Sequence, residues 1–158
     1  MALTISVPDT LRKSVEAASQ GKNTVLYTAK SQPCYMVVIP KFTVQSIDAS
    51  LGTGTHPAFI VGGVEKDALF IGQHLGISRN AEMLSLPGVD PGHSLNHDAF
   101  VSLARANGAG WHVMSNVEWA AVALLAWKAG TQPRGNTNYG NSSDVTTEYG
   151  VRGDGIAP

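Results

Sequence analysis

The segment that most constrains this chain is Asn116 to Ala129, NVEWAAVALLAWKA, which has no charged residue between Glu118 and Lys128 and is apolar almost all the way round a helix. Its start is written into the residues: Ser115 followed by Glu118 is a capping box, in which the hydroxyl accepts from the third helical N–H and the carboxylate reaches back to the cap. Val117, Ala120, Ala121 and Leu124 share one face, with Trp119, Val122, Ala123 and Ala126 beside it. Gly130 suits the position just past the helix end, and Pro133 prevents its resumption. A helix apolar on every side wants burial on every side, and at about fourteen residues it falls short of the roughly twenty needed to cross a bilayer. It is therefore expected as a buried central helix, with the three tryptophans in the core. Ahead of it, Trp111 to Met114 is an apolar run broken only by His112, which reads as a strand.

The rest of the chain supplies smaller elements. LRKSVEAAS, initiated around Pro8 to Thr10 and closed by Gly21, reads as a helix. Thr24–Ala29 and Tyr35–Ile39 read as strands about a turn at Lys30 to Pro33, and the alternation of Phe42, Val44 and Ile47 suggests a third strand after Pro40. This is an αβββ opening. Ala49 to Pro57, rich in Gly, Ser and Thr, then separates residues 1–50, an attachment or oligomerisation portion, from a second domain over 51–158. In that domain Ala58–Val61 and Ala68–Gly72 flank GGVEKD as a hairpin. An excursion punctuated by Pro87, Gly88, Pro91 and Gly92 leads to a helix over Leu95–Ala106, whose Phe100, Leu103 and Ala104 face one way. From Thr131 to Pro158 the apolar pattern collapses into a long polar loop or linker, a length that in a compact domain is functional, disordered or connecting.

The string MSNVEWAAVALLAWKAG followed by TQPRGNTNYG resembles a segment of tailed-bacteriophage structural proteins that carry a formylglycine-generating-enzyme-like version of the C-type lectin fold. Ser115, Glu118 and Trp119 match the Thr/Ser-x-x-Glu-Trp helix start of that superfamily, and PRGNTNYG at Pro133 to Gly140 is the more specific match to its phage branch. The resemblance runs from about Ile60 to Asn141. It implies an α+β chain with a C-type-lectin-like core that is incomplete at the C-terminus, since the later strands with a Gly-Asn-Val-Trp-Glu-Trp-like signature are not found here. Strand edges and apolar surface left open in such a core are expected to be covered by partner subunits.

Composition narrows the chemistry. With 43% apolar and 15% charged residues and a net charge of −1, the chain offers no general attraction to nucleic acid or anionic lipid. No apolar run follows the charges of the N-terminal segment, so neither a signal peptide nor membrane insertion is expected. The single cysteine, Cys34, excludes an intrachain disulfide and lies outside the segment that resembles the enzyme branch, whose copper-binding cysteines sit in the C-terminal half. It reads as a structural thiol, because nothing near it in sequence would activate it.

His93 and His97 at i, i+4 with Asp98 could begin a metal set, completed by His112 or His56. However, Ser94, Asn96 and Asp98 explain the segment as helix-start chemistry, and no cofactor or metal is expected. The three-histidine iron motif of the related sulfoxide synthases is not recognisable here. Arg152-Gly153-Asp154 reads as ordinary loop. No Ser-His-Asp set, phosphate loop or dinucleotide fingerprint is present.

The resemblance implies a non-enzymatic protein of a phage tail tip, fibre or receptor-binding apparatus, made in the bacterial cytoplasm and resident in the virion. Its expected partners are other virion proteins, copies of itself and a host-surface glycan or protein. Arg134, Asn136, Asn138, Tyr139 and Asn141 are the candidate contact residues, because Asn and Tyr on Gly-rich loops make adaptable polar and aromatic contacts. The alternatives are a metal-dependent oxidase or oxygenase of the formylglycine-generating or sulfoxide-synthase type, and a bacterial surface lectin.

Overall fold

A computed structural model describes residues 9–132, 137–138 and 141–148. It is a mixed α+β structure of three helices and several small antiparallel sheets. The first helix, α1 (Thr10–Ala18), is capped by Asp9, whose carboxylate accepts from the Arg12 N–H at 3.0 Å. Gly21, at φ +77°, closes it by donating to the Glu16 carbonyl at 2.8 Å. It lies along β1 (Asn23–Tyr27), to which the Arg12 guanidinium donates at the Val25 carbonyl, 2.8 Å.

Strand β1 pairs antiparallel with β2 (Pro33–Pro40) through the expected turn, and β2 pairs in turn with a later strand, Ala68–Gly72. The sheet thus draws strands from both sides of the Ala49–Pro57 segment. Residues 42–47 do not form the expected third strand, because the edge of β2 that they would need is occupied by Ala68–Gly72, with Pro40 opposite Ala68. Instead Thr43 bridges Thr55, and Val44–Ser46 winds into a 3-10 turn whose Val44 N–H donates to the Gly54 carbonyl.

The expected hairpin is also rearranged. Its first arm pairs at once with its neighbour: β3 (Ile60–Val61) returns as β4 (Val64–Glu65) across Gly62 and Gly63, both at positive φ, as a two-residue type I′ turn requires. The strand at Ala68–Gly72, β5, goes to β2 instead. The excursion after it contains a further hairpin, β6 (Gly76–Arg79) and β7 (Glu82–Ser85), turned by Asn80 and Ala81 at φ 51° and 59°. Leu84 of β7 closes the core with Cys34 and Met36, and Leu26, Ile77, Leu86 and Trp111 pack around them.

Helix α2 (His97–Ala106) forms as expected, capped by Asn96, and presses Ala104 against β7. Trp111 to Met114 does not become a strand. Gly108 and Gly110, both at positive φ, set the chain off from α2, and the segment finds no strand partner. Trp111 reaches the core, while Val113 and Met114 stay exposed.

Helix α3 (Asn116–Lys128) has the complete capping box: the Glu118 N–H donates to the Ser115 hydroxyl, and the Ser115 N–H donates to the Glu118 carboxylate at 2.7 Å. The expectation of burial fails. Only Ala121 is fully buried, against the 3-10 turn at Pro57–Phe59, while Trp119 is 60% and Trp127 48% exposed. In the polar terminal segment two short strands pair, β8 (Thr137–Asn138) and β9 (Asn141–Ser142). Among the described residues no helix is long and apolar enough to cross a membrane.

Candidate functional site

The buried polar groups are occupied with holding the fold. Glu82 is fully buried at the start of β7, where its carboxylate accepts from the Thr28 hydroxyl at 2.6 Å, the Gln32 amide at 2.5 Å and the Lys30 N–H at 3.2 Å. Burial alone would push this acid upward, but those donors outweigh it and hold the carboxyl below its ordinary range. It fastens the β1–β2 turn to the β6–β7 hairpin. Asn107, also buried, clamps Met83 from both sides: its Oδ1 accepts from the Met83 N–H at 2.9 Å and its Nδ2 donates to the Met83 carbonyl at 2.5 Å. Its own carbonyl accepts from Ala29 at 2.8 Å.

Candidate ligands and nucleophiles behave likewise. Cys34 is buried, its thiol pushed up by desolvation and directed at the Met83 carbonyl 3.8 Å away. His56 is buried between Phe42 and Phe59, where its Nδ1 accepts from the Ala58 N–H. Burial holds it below the usual imidazole range. His93 and His97 are exposed and contact only their neighbours, Ser94 and Asp98, while Asn96 serves as the helix cap. Among the described residues no three His, Cys, Asp or Glu side chains gather where a metal could be held.

His112 finds a role that the spacing did not suggest. Its Nε2 lies 2.9 Å from Glu118, so the capping carboxylate of α3 is itself fixed from the preceding segment. Two open grooves have volumes of about 370 and 430 Å³, the second beside α1 and the β1–β2 pair. The first, between the 3-10 turns and α3, is lined by Val44, Leu51, Thr55, His56 and Leu124, and its one titratable group is the committed His56.

Of the candidate contact residues, Asn138 lies in β8 directly opposite Asn141 in β9. Next to Asn141, Ser142 is buried, and its hydroxyl accepts from the Asp144 and Val145 N–H groups. Arg134, Asn136 and Tyr139 lie outside the described residues, as do Arg152, Gly153 and Asp154.

The surface that stands apart is the outer side of α3. Asn116, Trp119, Ala123 and Trp127 are its exposed positions on one line, flanked by half-buried Ala120 and Ala126. No charge interrupts this line from Trp119 to Trp127, and it places two exposed tryptophans on one short helix. The opposite side, Ala121 and Leu125 with Glu118, faces the protein. The i, i+4, i+8 spacing of Trp119, Ala123 and Trp127 was the available signal for this face. No protein-family model matches the chain, and no curated protein sequence matches it.

Proposed function

We propose that this chain is a non-enzymatic structural protein of a phage virion, in the tail tip, fibre or receptor-binding apparatus, and that its C-type-lectin-like scaffold acts through assembly contacts. The observation that carries the reading is the exposed, charge-free side of α3, which immediately precedes the PRGNTNYG string of the phage-like segment. An apolar helix with its best contact residues in water is what a subunit surface presents before assembly. Recognition of a host-surface glycan or protein is assigned to Arg134, Asn136, Asn138, Tyr139 and Asn141, beyond the end of that helix.

Mass spectrometry of purified particles, together with gold-labelled antibody against the chain in electron microscopy, tests the assignment. The expected result is a stoichiometric copy number and label at one end of the tail. A stable polypeptide that is produced during infection and absent from the particle would overturn it. Stoichiometric iron or copper in the purified protein would point to the oxidase alternative.

A further inference from the structure

The outer side of α3 is nearly palindromic. Read outward from Ala123, the residues are Trp119 and Trp127 at four positions either way and Ala120 and Ala126 at three. A two-fold axis through Ala123, perpendicular to the helix, would superpose each of these pairs on itself. The interface would be isologous: the residue before the centre on one copy meets the residue after it on the other. We infer that a second copy of this chain covers α3, packed antiparallel, with Ala123 at the crossing and Trp119 of each copy against Trp127 of its partner. The inference rests on reading α3 as an assembly surface and is independent of the virion assignment.

Three features favour this occupant. Ala120, Ala123 and Ala126 put no long side chain at the crossing point, which leaves room for Trp119 of each copy to lie beside Trp127 of the other. The antiparallel arrangement sets the positive N-terminal end of one helix dipole beside the negative C-terminal end of the other. The area is also appropriate. Thirteen residues make a helix about 20 Å long, and pairing two such faces buries on the order of 1,000 Å² in total, at the lower edge of specific interfaces. With exposures of 60% and 48%, the two tryptophans are the large apolar side chains that such pairing would cover. Obligate dimers bury about 2,000 Å² or more, so an interface of that size is one a folded monomer can form and leave.

Charge exchange tests both the partner and the direction. Sedimentation equilibrium of the whole chain from 1 to 200 µM is expected to show a monomer–dimer equilibrium. Trp119→Glu and Trp127→Lys, each at an exposed position, should separately raise the dissociation constant at least about thirty-fold, the effect of losing an interface tryptophan. Mixed together, the two single variants should associate more tightly than either does alone, because an antiparallel heterodimer keeps one tryptophan pair and places the new carboxylate of one copy beside the new ammonium of the other. As a second approach that leaves both tryptophans in place, Ala123→Cys should give a covalent dimer on mild oxidation, whereas the wild type, whose only thiol is buried, should not.

A wild type that stays monomeric to 200 µM would overturn the inference and assign the face to a different protein. A mixture of the two variants that associates no more tightly than either alone, with both folded by circular dichroism, would overturn the antiparallel pairing. Neither result bears on whether the chain is found in particles, so the two readings fail separately.

Discussion

Replacing Asn107 by alanine removes a clamp that no apolar contact can supply. The side chain is 2% exposed, and its amide bonds both the N–H and the carbonyl of Met83, as a neighbouring strand would. Met83 lies in β7 between Glu82 and Leu84, so the clamp fixes the strand that brings both of those groups into the interior. Each intramolecular hydrogen bond contributes about 1 kcal/mol net, and a buried donor or acceptor left without a partner costs about 1–3 kcal/mol.

With two bonds lost at one peptide, Asn107→Ala is expected to cost about 3 kcal/mol. For a chain of this size that lowers the midpoint of thermal unfolding by about 6–12 °C. Urea denaturation measures the free energy, and hydrogen exchange at the Met83 amide reports the clamp itself, protected in the wild type and faster in the variant. Asn107→Asp sharpens the test: one oxygen still accepts from the Met83 N–H, but the other now faces the Met83 carbonyl. It should be at least as destabilised at neutral pH and should recover part of the difference in acid, where the protonated carboxyl can donate. A loss under 0.5 kcal/mol for Asn107→Ala would show that water replaces the amide without cost, and the clamp would be incidental.

Four further outcomes follow from local geometry. Ala81, held at φ 59° in the β6–β7 turn, bears a left-handed strain of about 1–2 kcal/mol that glycine avoids. After the entropy that glycine adds to the unfolded chain, Ala81→Gly should stabilise by about 0.5 kcal/mol in urea titration, and a loss would mean that the turn is relaxed. Ser115→Ala should cost about 1 kcal/mol and fray the first turn of α3 in hydrogen exchange, and unchanged protection would make the capping box dispensable.

Burial pushes His112 down, but the Gly110 carbonyl and the Glu118 carboxylate more than offset it and hold the imidazole above its ordinary value. Its contribution is therefore full below the unfolded-state value and is lost as pH rises through the folded one. NMR titration of the ring should show the raised midpoint and Glu118→Gln should lower it, whereas a wild-type midpoint at the ordinary value would refute the pairing. Cys34, buried and with its thiol pushed up, should react with a thiol reagent only at the rate of unfolding. Stoichiometric labelling of the native protein within minutes would contradict that burial.

Local chemistry was legible wherever the decisive partners are close in sequence. The capping box needs only Ser115 and Glu118, and the end of α1 only Gly21, so both were readable. Strand pairing was not. The alternation of Phe42, Val44 and Ile47 satisfies the strand pattern, yet a strand needs an edge, and the edge of β2 goes to residues nearly thirty positions further on. The β6–β7 hairpin was missed because its turn uses Asn80-Ala81, and alanine is not a residue that announces a positive φ. Asn107 caps the end of α2, but its amide acts on a strand 24 positions away, and no spacing rule connects the two.

Helix α3 shows where pattern reasoning stops. Periodicity states which faces of a helix avoid water, and for Asn116–Lys128 it states that all of them do. It does not say whose atoms replace the water. Among the described residues the 3-10 turn at Pro57–Phe59 packs on the helix, whose one fully buried residue is Ala121, and the Lys128 ammonium donates to the Ser46 carbonyl at 2.6 Å from the helix's last turn. The line from Trp119 to Trp127 is thereby turned outward by contacts that have nothing to do with tryptophan. The demand for burial remains, and a monomer that satisfies every local rule of this sequence still leaves it unmet. Expecting a central buried helix therefore identified the right physical requirement, and the described fold meets it fully at Ala121 alone.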